Sequence, residues 1–517
     1  MKEERLVHKR SLAALLCLTL LLGGCTSTQR QITDSGVSAT LPPAAQPYTA
    51  PVGDAALDYT AQVELMLPSR DRDHSRLLAQ QVQLTLNHGQ HPAETVLRAL
   101  FSFEANRRVD ALGGDVRLQL AGVNPVEISC GVCTVTLAAS ALQLDHPSFY
   151  RACQGMAATL APYGVESLNV LVSGQAVAMD ITAALPLGTV TAQMDADLEA
   201  SWNQLDARKT ALGEDASLVS LTANATLFFP TAGGTGILAE TRDVSFVGQS
   251  PAQLAAGLVQ ALSAGPQVLT VASPMPDVEG LMLYAPQINT QSDTGERVAT
   301  LRFAEGLEAT LREADVDPAG FYASLTYTLT TFIPSLTAVE CWVGGRLLTS
   351  VLTSENRMIS FPDGRMTRSD FAAYLEDVAV LYLVHGERLV EVHRPMPYYA
   401  ARNPRALLLR LLDGPTVTES ALGYSSLLPD YLGDADILGF SVEGDTLLVN
   451  LSATFVTGTS GLTPDEERLM AYSMVNTLAK AAACRRARFY FSSSAWDTLC
   501  GGVWWNGDFM VNMSMVE

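Results

Sequence analysis

From residue 59 onward, short runs of alternating apolar and polar residues, the pattern of strands, are interrupted by apolar residues at helical spacing. Three stretches repeat one order. The first pairs strands over 62–67 and 77–86, then passes through Gly89-Gln90-His91-Pro92 into a helical run over 93–101. The second pairs 225–229 with 237–247 and passes through Gly248-Gln249-Ser250-Pro251 into 252–262. The third pairs 378–384 with 388–393 and passes through Asn403-Pro404 into 405–412. Proline suits the first helical position, where the missing N–H would have no partner, and Ser250 or Asn403 before it can cap. Pro92, Pro251 and Pro404 stand 159 and 153 positions apart.

The second half of each stretch also recurs. A strand pair (126–137, 280–303, 437–451) leads to a helix (147–160, 318–332, 464–482) and a last strand (167–172, 338–343, 486–491). The pattern predicts an α+β fold: tandem two-layer sandwiches, each β-β-α-β-β-α-β, with two helices on one face of a mainly antiparallel sheet. The units span 59–186, 219–352 and 373–517, joined over 186–218 and 352–372, with a linking helix over 195–212. Thr463-Pro464-Asp465-Glu466 reads as a capping box, which assigns the acids Asp465, Glu466 and Glu467 to a helix N-terminus.

Ahead of the repeats, Lys2, Arg5, Lys9 and Arg10 precede an apolar stretch over 12–22 and then Gly23-Gly24-Cys25, the layout of a secretory signal. The stretch is too short for the roughly 20 residues of a spanning helix. Leu22-Gly23-Gly24-Cys25 resembles a lipobox, which implies cleavage after Gly24 and lipidation of Cys25. The expected product is extracytoplasmic and lipid-anchored to the cell membrane, with residues 25–58, polar and proline-rich, as a flexible tether. The full chain carries a net charge of −21, and residues 1–24 hold four basic and two acidic residues, so the mature chain sits near −23. That balance argues against nucleic acid and anionic headgroups as partners.

Within the third unit, 408–416 (LLRLLDGPT), Leu428-Pro429, 437–442 (ILGFSV), Val449-Asn450-Leu451-Ser452 with Phe455, and 472–478 (YSMVNTL) together resemble the GerMN domain of sporulation and germination lipoproteins. In the second unit Ala264-Gly265-Pro266, Met275-Pro276 and 338–345 resemble parts of the same set. The first keeps the helix start, the hairpin and 168–174. The resemblance implies a fold like the ring-building modules of secretion-type assemblies. It also implies work in spore formation near the channel joining mother cell and forespore. The family is described with two such domains, and three here depart from it.

Chemistry-bearing patterns are sparse. Of eight cysteines, Cys17 leaves with the signal and Cys25 takes lipid; Cys130-Gly131-Val132-Cys133 lies on an expected hairpin turning at Gly131, away from any second metal pair. Buried or hairpin thiols, a structural disulfide, and redox or metal function remain open for Cys130 and Cys133, and the disulfide state of Cys153, Cys341, Cys484 and Cys500 is open as well. His88 and His91 flank a turn and read as solvated. Gly234-Thr235-Gly236 leads into a strand and reads as a hairpin loop. No catalytic residue, metal ligand or cofactor is expected. Asn476, which could equally cap or bridge backbone, and Trp496, Trp504 and Trp505 are the candidate partner contacts. The sequence therefore reads as a non-enzymatic scaffold or adaptor meeting envelope or sporulation proteins, with homo-oligomers open. An accessory to a membrane sensor kinase and a peptidoglycan-binding or hydrolysing protein are the rival readings.

Overall fold

The computed structural model describes residues 48–68, 77–102, 118–178, 186–192 and 220–517, apart from 235, 274, 291, 293 and 294. The signal segment, Cys25, most of the expected tether and the expected helix over 195–212 lie outside the described residues.

A short strand, β1 (Gly53–Ala56), precedes the first unit. That unit runs β2 (Asp58–Pro68), β3 (Leu77–Asn87), α1 (Ala93–Ser102), β4 (Val126–Ser129), β5 (Val132–Leu137), α2 (His146–Leu160), β6 (Ser167–Val172) and β7 (Gln175–Ala176). The second runs β8 (Leu221–Pro230), β9 (Ile237–Phe246), α3 (Pro251–Ser263), β10 (Gln287–Thr290), β11 (Arg297–Phe303), α4 (Pro318–Phe332), β12 (Leu336–Val343) and β13 (Arg346–Leu347). The third runs β14 (Glu376–His385), β15 (Arg388–Pro397), α5 (Pro404–Leu412), β16 (Ile437–Glu443), β17 (Thr446–Leu451), α6 (Pro464–Ala481), β18 (Arg486–Phe491) and β19 (Phe509–Met510). The chain is thus a tandem α+β fold.

Two expectations change. Residues 53–56 and 58 are strand, not tether: β1 pairs in parallel with β16, and Asp58 begins β2. The first two long hairpins stay separate two-stranded sheets, the third gains the short strand Tyr424–Ser425, and the later strands form a second sheet in each unit, ordered β4-β5-β6-β7, β10-β11-β12-β13 and β1-β16-β17-β18-β19. The β5–β6, β11–β12 and β17–β18 pairs are parallel, because a helix carries the chain back to the end where the preceding strand began.

Alternation sets the buried faces. In β2, Val63, Leu65 and Leu67 are wholly buried while Gln62 and Glu64 face out. Each unit fills its own core, although Val132 of the first reaches into the second and Leu57 into the third. From Thr49 to Glu517 the units pack as one compact body.

A hydroxyl pair explains how helix and hairpin lock together. Residues four apart share a helix face, and on α6 the Ser473 hydroxyl donates to the Tyr382 carbonyl at 2.6 Å while Thr477 Oγ1 accepts from the Tyr382 N–H at 3.1 Å. On α4, Ser324 and Thr328 bond the carbonyl and N–H of Phe228 in the same way. On α2, Thr159 accepts from the Met66 N–H at 2.9 Å, and Gly155 stands where the serine would be, its missing Cβ leaving room for the Met66 carbonyl. The helix thus supplies the strand residue's missing neighbours. Thr477→Val is expected to strand the buried Tyr382 N–H and cost about 1–3 kcal/mol in urea unfolding, and a change below 0.5 kcal/mol would show that the pair is dispensable.

Candidate functional site

The structure places Trp496, Trp504 and Trp505 around one end of the third unit's sheet and Asn476, beside Asn512, toward the other. β1 is held at the tryptophan end by Asp54, whose carboxylate accepts from Arg405 Nε at 2.5 Å, Arg405 Nη2 at 3.1 Å and the Phe440 N–H at 3.2 Å. Arg405 also donates to Asp434 at 2.7 Å and to the Ile437 carbonyl at 3.0 Å. Such forked contacts fix geometry as well as charge. Gly439 is required opposite, since a Cβ would fall 2.5 Å from the Gly53 backbone. Asn450, wholly buried, donates to the Pro51 carbonyl at 2.8 Å and to Ser493 Oγ at 3.2 Å, and accepts from the Ser493 N–H at 3.0 Å. Asp54→Ala is expected to free β1 at a cost of about 1–2 kcal/mol, because the pair is part-exposed. Limited proteolysis should then cut ahead of Asp58 roughly 5- to 30-fold faster, the ratios that about 1–2 kcal/mol set. An unchanged rate would mean that strand pairing alone holds the segment.

The C-terminal loop is organised by Glu467. Asp465 and Glu466 sit at the α6 N-terminus as expected, and Thr463 and Glu466 form the capping box. Glu467 instead points inward, wholly buried, and accepts from Trp505 Nε1 at 2.7 Å, Cys500 N at 3.0 Å, Leu499 N at 3.1 Å and Gly502 N. Burial raises its carboxyl, but the bonds from Trp505, Cys500, Gly502 and Leu499 outweigh this and hold it below the ordinary glutamate range.

The four candidate contacts divide. Trp505 is wholly buried, its ring edge-on to Phe489 and Phe491 at 5.4 Å each. Asn476 is also wholly buried; it donates to the Asn512 carbonyl at 3.0 Å and accepts from the Asn512 N–H at 2.9 Å. Both hold the chain's own C-terminal segment, and neither can present itself to a partner. Trp496 and Trp504 remain 41% and 61% exposed.

The histidines read as solvated are packed. His88 stacks on Tyr59 at 3.9 Å and bonds the Ala482 carbonyl of the third unit. His91 accepts from the Ala93 N–H at 3.2 Å, so its other nitrogen carries the proton toward Tyr163 O. It therefore caps α1 as Ser250 caps α3 and Asn403 caps α5. Burial, with Arg402 nearby, lowers its pKa to about 3. The six described cysteines are unpaired. Cys130 and Gly131 turn the β4–β5 hairpin with positive φ, and burial raises the Cys130 thiol to about 12, far from a reactive thiolate. Among the described residues, no three His, Cys, Asp or Glu side chains are placed to hold a metal ion. No helix among them is long and apolar enough to cross a membrane.

Sequence reading missed a pair of arginines that recur in the fold. Arg242 on β9 donates to the Ala261 and Gly265 carbonyls at the end of α3, and Arg394 on β15 donates to Gly414 O at 2.8 Å after α5. Each closes the glycine-proline helix end of its unit, against Glu240 or Glu419. A cleft of about 440 Å³ on the second unit is lined by Glu308, Arg312, Asp315, Asp317 and Tyr322. Asp317 is committed to the Ala319, Gly320 and Ser354 N–H groups.

Residues 380–491 match the family model described as Germane, sporulation and spore germination. No curated protein matches the chain. The tandem GerMN domains of the sporulation protein GerM from Bacillus subtilis align at 14% identity and TM-score 0.20, over 53% of this chain and 92% of that one. A Clostridium perfringens protein described as a candidate lipoprotein aligns at 15% identity and TM-score 0.19, over 26% of this chain and 87% of that one. The match to the Germane family model thus falls within the third unit, and the two units before it repeat that unit's order of elements.

Proposed function

We propose that this chain is an extracytoplasmic, lipid-anchored adaptor of spore formation or germination, without catalytic activity of its own, that meets envelope proteins through the surfaces of its three units. One observation carries the reading. Ser473, Asn476 and Thr477, the polar members of the block that resembles the family, are buried and bond the chain's own backbone, so the block builds the unit and leaves its outer surface to partners. The basic start, the apolar stretch and Gly23-Gly24-Cys25 support cleavage after Gly24 and acylation of Cys25. Membrane confinement raises effective concentration, so weak contacts would suffice. The test is affinity isolation of the chain from sporulating and vegetative host cells beside a Cys25→Ser control. Recovery of no envelope protein above that control would sink the adaptor.

A second reading, peptidoglycan binding or hydrolysis, is favoured by the acid-lined cleft of the second unit and its buried Tyr322 hydroxyl, which has no hydrogen-bond partner. Zymography and muropeptide sedimentation, each repeated with E308Q/D315N, separate it from the adaptor.

A further inference from the structure

Strand directions sort the loops of the third sheet between its two ends. β1 runs parallel to β16, β16 antiparallel to β17 and β17 parallel to β18. The starts of β1 and β16 and the finishes of β17 and β18 therefore share one end. The upstream chain arrives at this end, where Asn450 ties Pro51 to Ser493. Val52, Tyr431, Trp496 and Trp504 are exposed here by 84%, 62%, 41% and 61%. Tyr431 lies against Gly458, in the helix Ala453–Thr459 that follows β17. Trp496 packs edge-on to Phe491, the last residue of β18, at 6.5 Å. Trp504 is placed by its neighbours, because Asp497 accepts from the Trp505 N–H at 3.0 Å and from the Asn506 amide at 3.1 Å.

We infer that this end of the third unit rests on a zwitterionic phospholipid surface, with Trp496 and Trp504 in the headgroup layer. The inference rests on the reading of Cys25 as the acylated residue. About 25 residues separate Cys25 from Pro51, which even fully extended reach no more than roughly 90 Å. The Asp54–Arg405 contact directs that connection to this end and to no other. Indole rings favour the boundary between water and acyl chains because their bodies are apolar and their N–H groups polar. The Trp504 N–H already bonds Asn506 O at 3.1 Å, so the ring can enter without stranding a donor. Asp430, Asp434, Asp465 and Asp497 are exposed at the same end and disfavour an anionic surface.

The acylated full chain would be placed in phosphatidylcholine vesicles with plain or brominated acyl chains. Bromine is expected to quench tryptophan emission, and W496F/W504F should lose nearly all of that quenching while flotation with the vesicles and thermal unfolding stay as in the wild type. These are two of five tryptophans, so the quenched share should approach their share of the emission. Equal emission from the wild type in both vesicles, or quenching that survives the double substitution, would overturn the inference. A chain that fails to float overturns the acylation instead. The same chain held by an N-terminal hexahistidine segment on nickel-chelating phosphatidylcholine vesicles then decides the placement by the same quenching.

Discussion

Glu467→Ala is expected to lower stability by about 3–5 kcal/mol, because it leaves four N–H groups of one loop without their acceptor in a site that excludes water. The carboxylate is wholly buried and faces Trp505 Nε1 and the backbone of Leu499, Cys500 and Gly502. Glu467→Gln, which keeps the shape but not the charge, should fall between the two. Trp505→Phe removes only one donor and should cost about 1–2 kcal/mol. The depressed carboxyl also sets a pH dependence. Its contribution is present above the unfolded value of 4.5 and is lost as pH falls through the lower folded value, so the wild type should lose more stability below pH 4.5 than E467Q does. Urea unfolding followed by tryptophan emission, with hydrogen exchange read over 499–510, checks both. A midpoint for E467A within 0.5 kcal/mol of the wild type, or equal acid sensitivity in E467Q, would remove Glu467 from this role.

That role shows where sequence reading stops. Asp465, Glu466 and Glu467 look alike as a run of acids after a capping threonine, and charge at a helix start accounts for all three. Only the 100° step between helical neighbours separates them, turning Glu467 toward a loop some 35 residues downstream. The repeat, the helix starts and the last strands were legible because alternation, proline and spacing are local signals. β1 was not legible: Gly53-Asp54-Ala55-Ala56 has no strand pattern and becomes a strand because Arg405, Gly439 and Asn450, more than 350 positions away, receive it. The Ser-x-x-x-Thr spacing of α4 and α6 was visible as letters. Its meaning needed the strand that it faces, and Gly155 in the first unit hides the same site behind a different residue. The tryptophans behaved similarly, since adjacent Trp504 and Trp505 divide between solvent and core.

The second large effect is expected at the junction of the units. Glu127 on β4 of the first unit pairs with Arg368 Nη2 at 2.5 Å, and both side chains are only 13% exposed. Arg368 lies in the 3-10 helix Arg368–Tyr374 that leads into the third unit. Its guanidinium also donates to Thr331 Oγ1 at 2.5 Å and stands 3.9 Å from the Tyr327 ring centre, both on α4 of the second unit. One arginine therefore ties the first and second units to the segment that leads into the third, and removing its carboxylate leaves a mostly buried charge without its partner. Glu127→Ala is expected to cost about 3–5 kcal/mol, of which most is the penalty of the stranded guanidinium and not the worth of the pair. The cycle separates these terms. If the penalty dominates, E127A/R368M should recover much of the loss, because the methionine side chain needs no partner and still covers Tyr327. Unfolding midpoints of the two single variants and the double variant give the coupling directly. Losses that simply add would mean that Glu127 and Arg368 hold the junction independently.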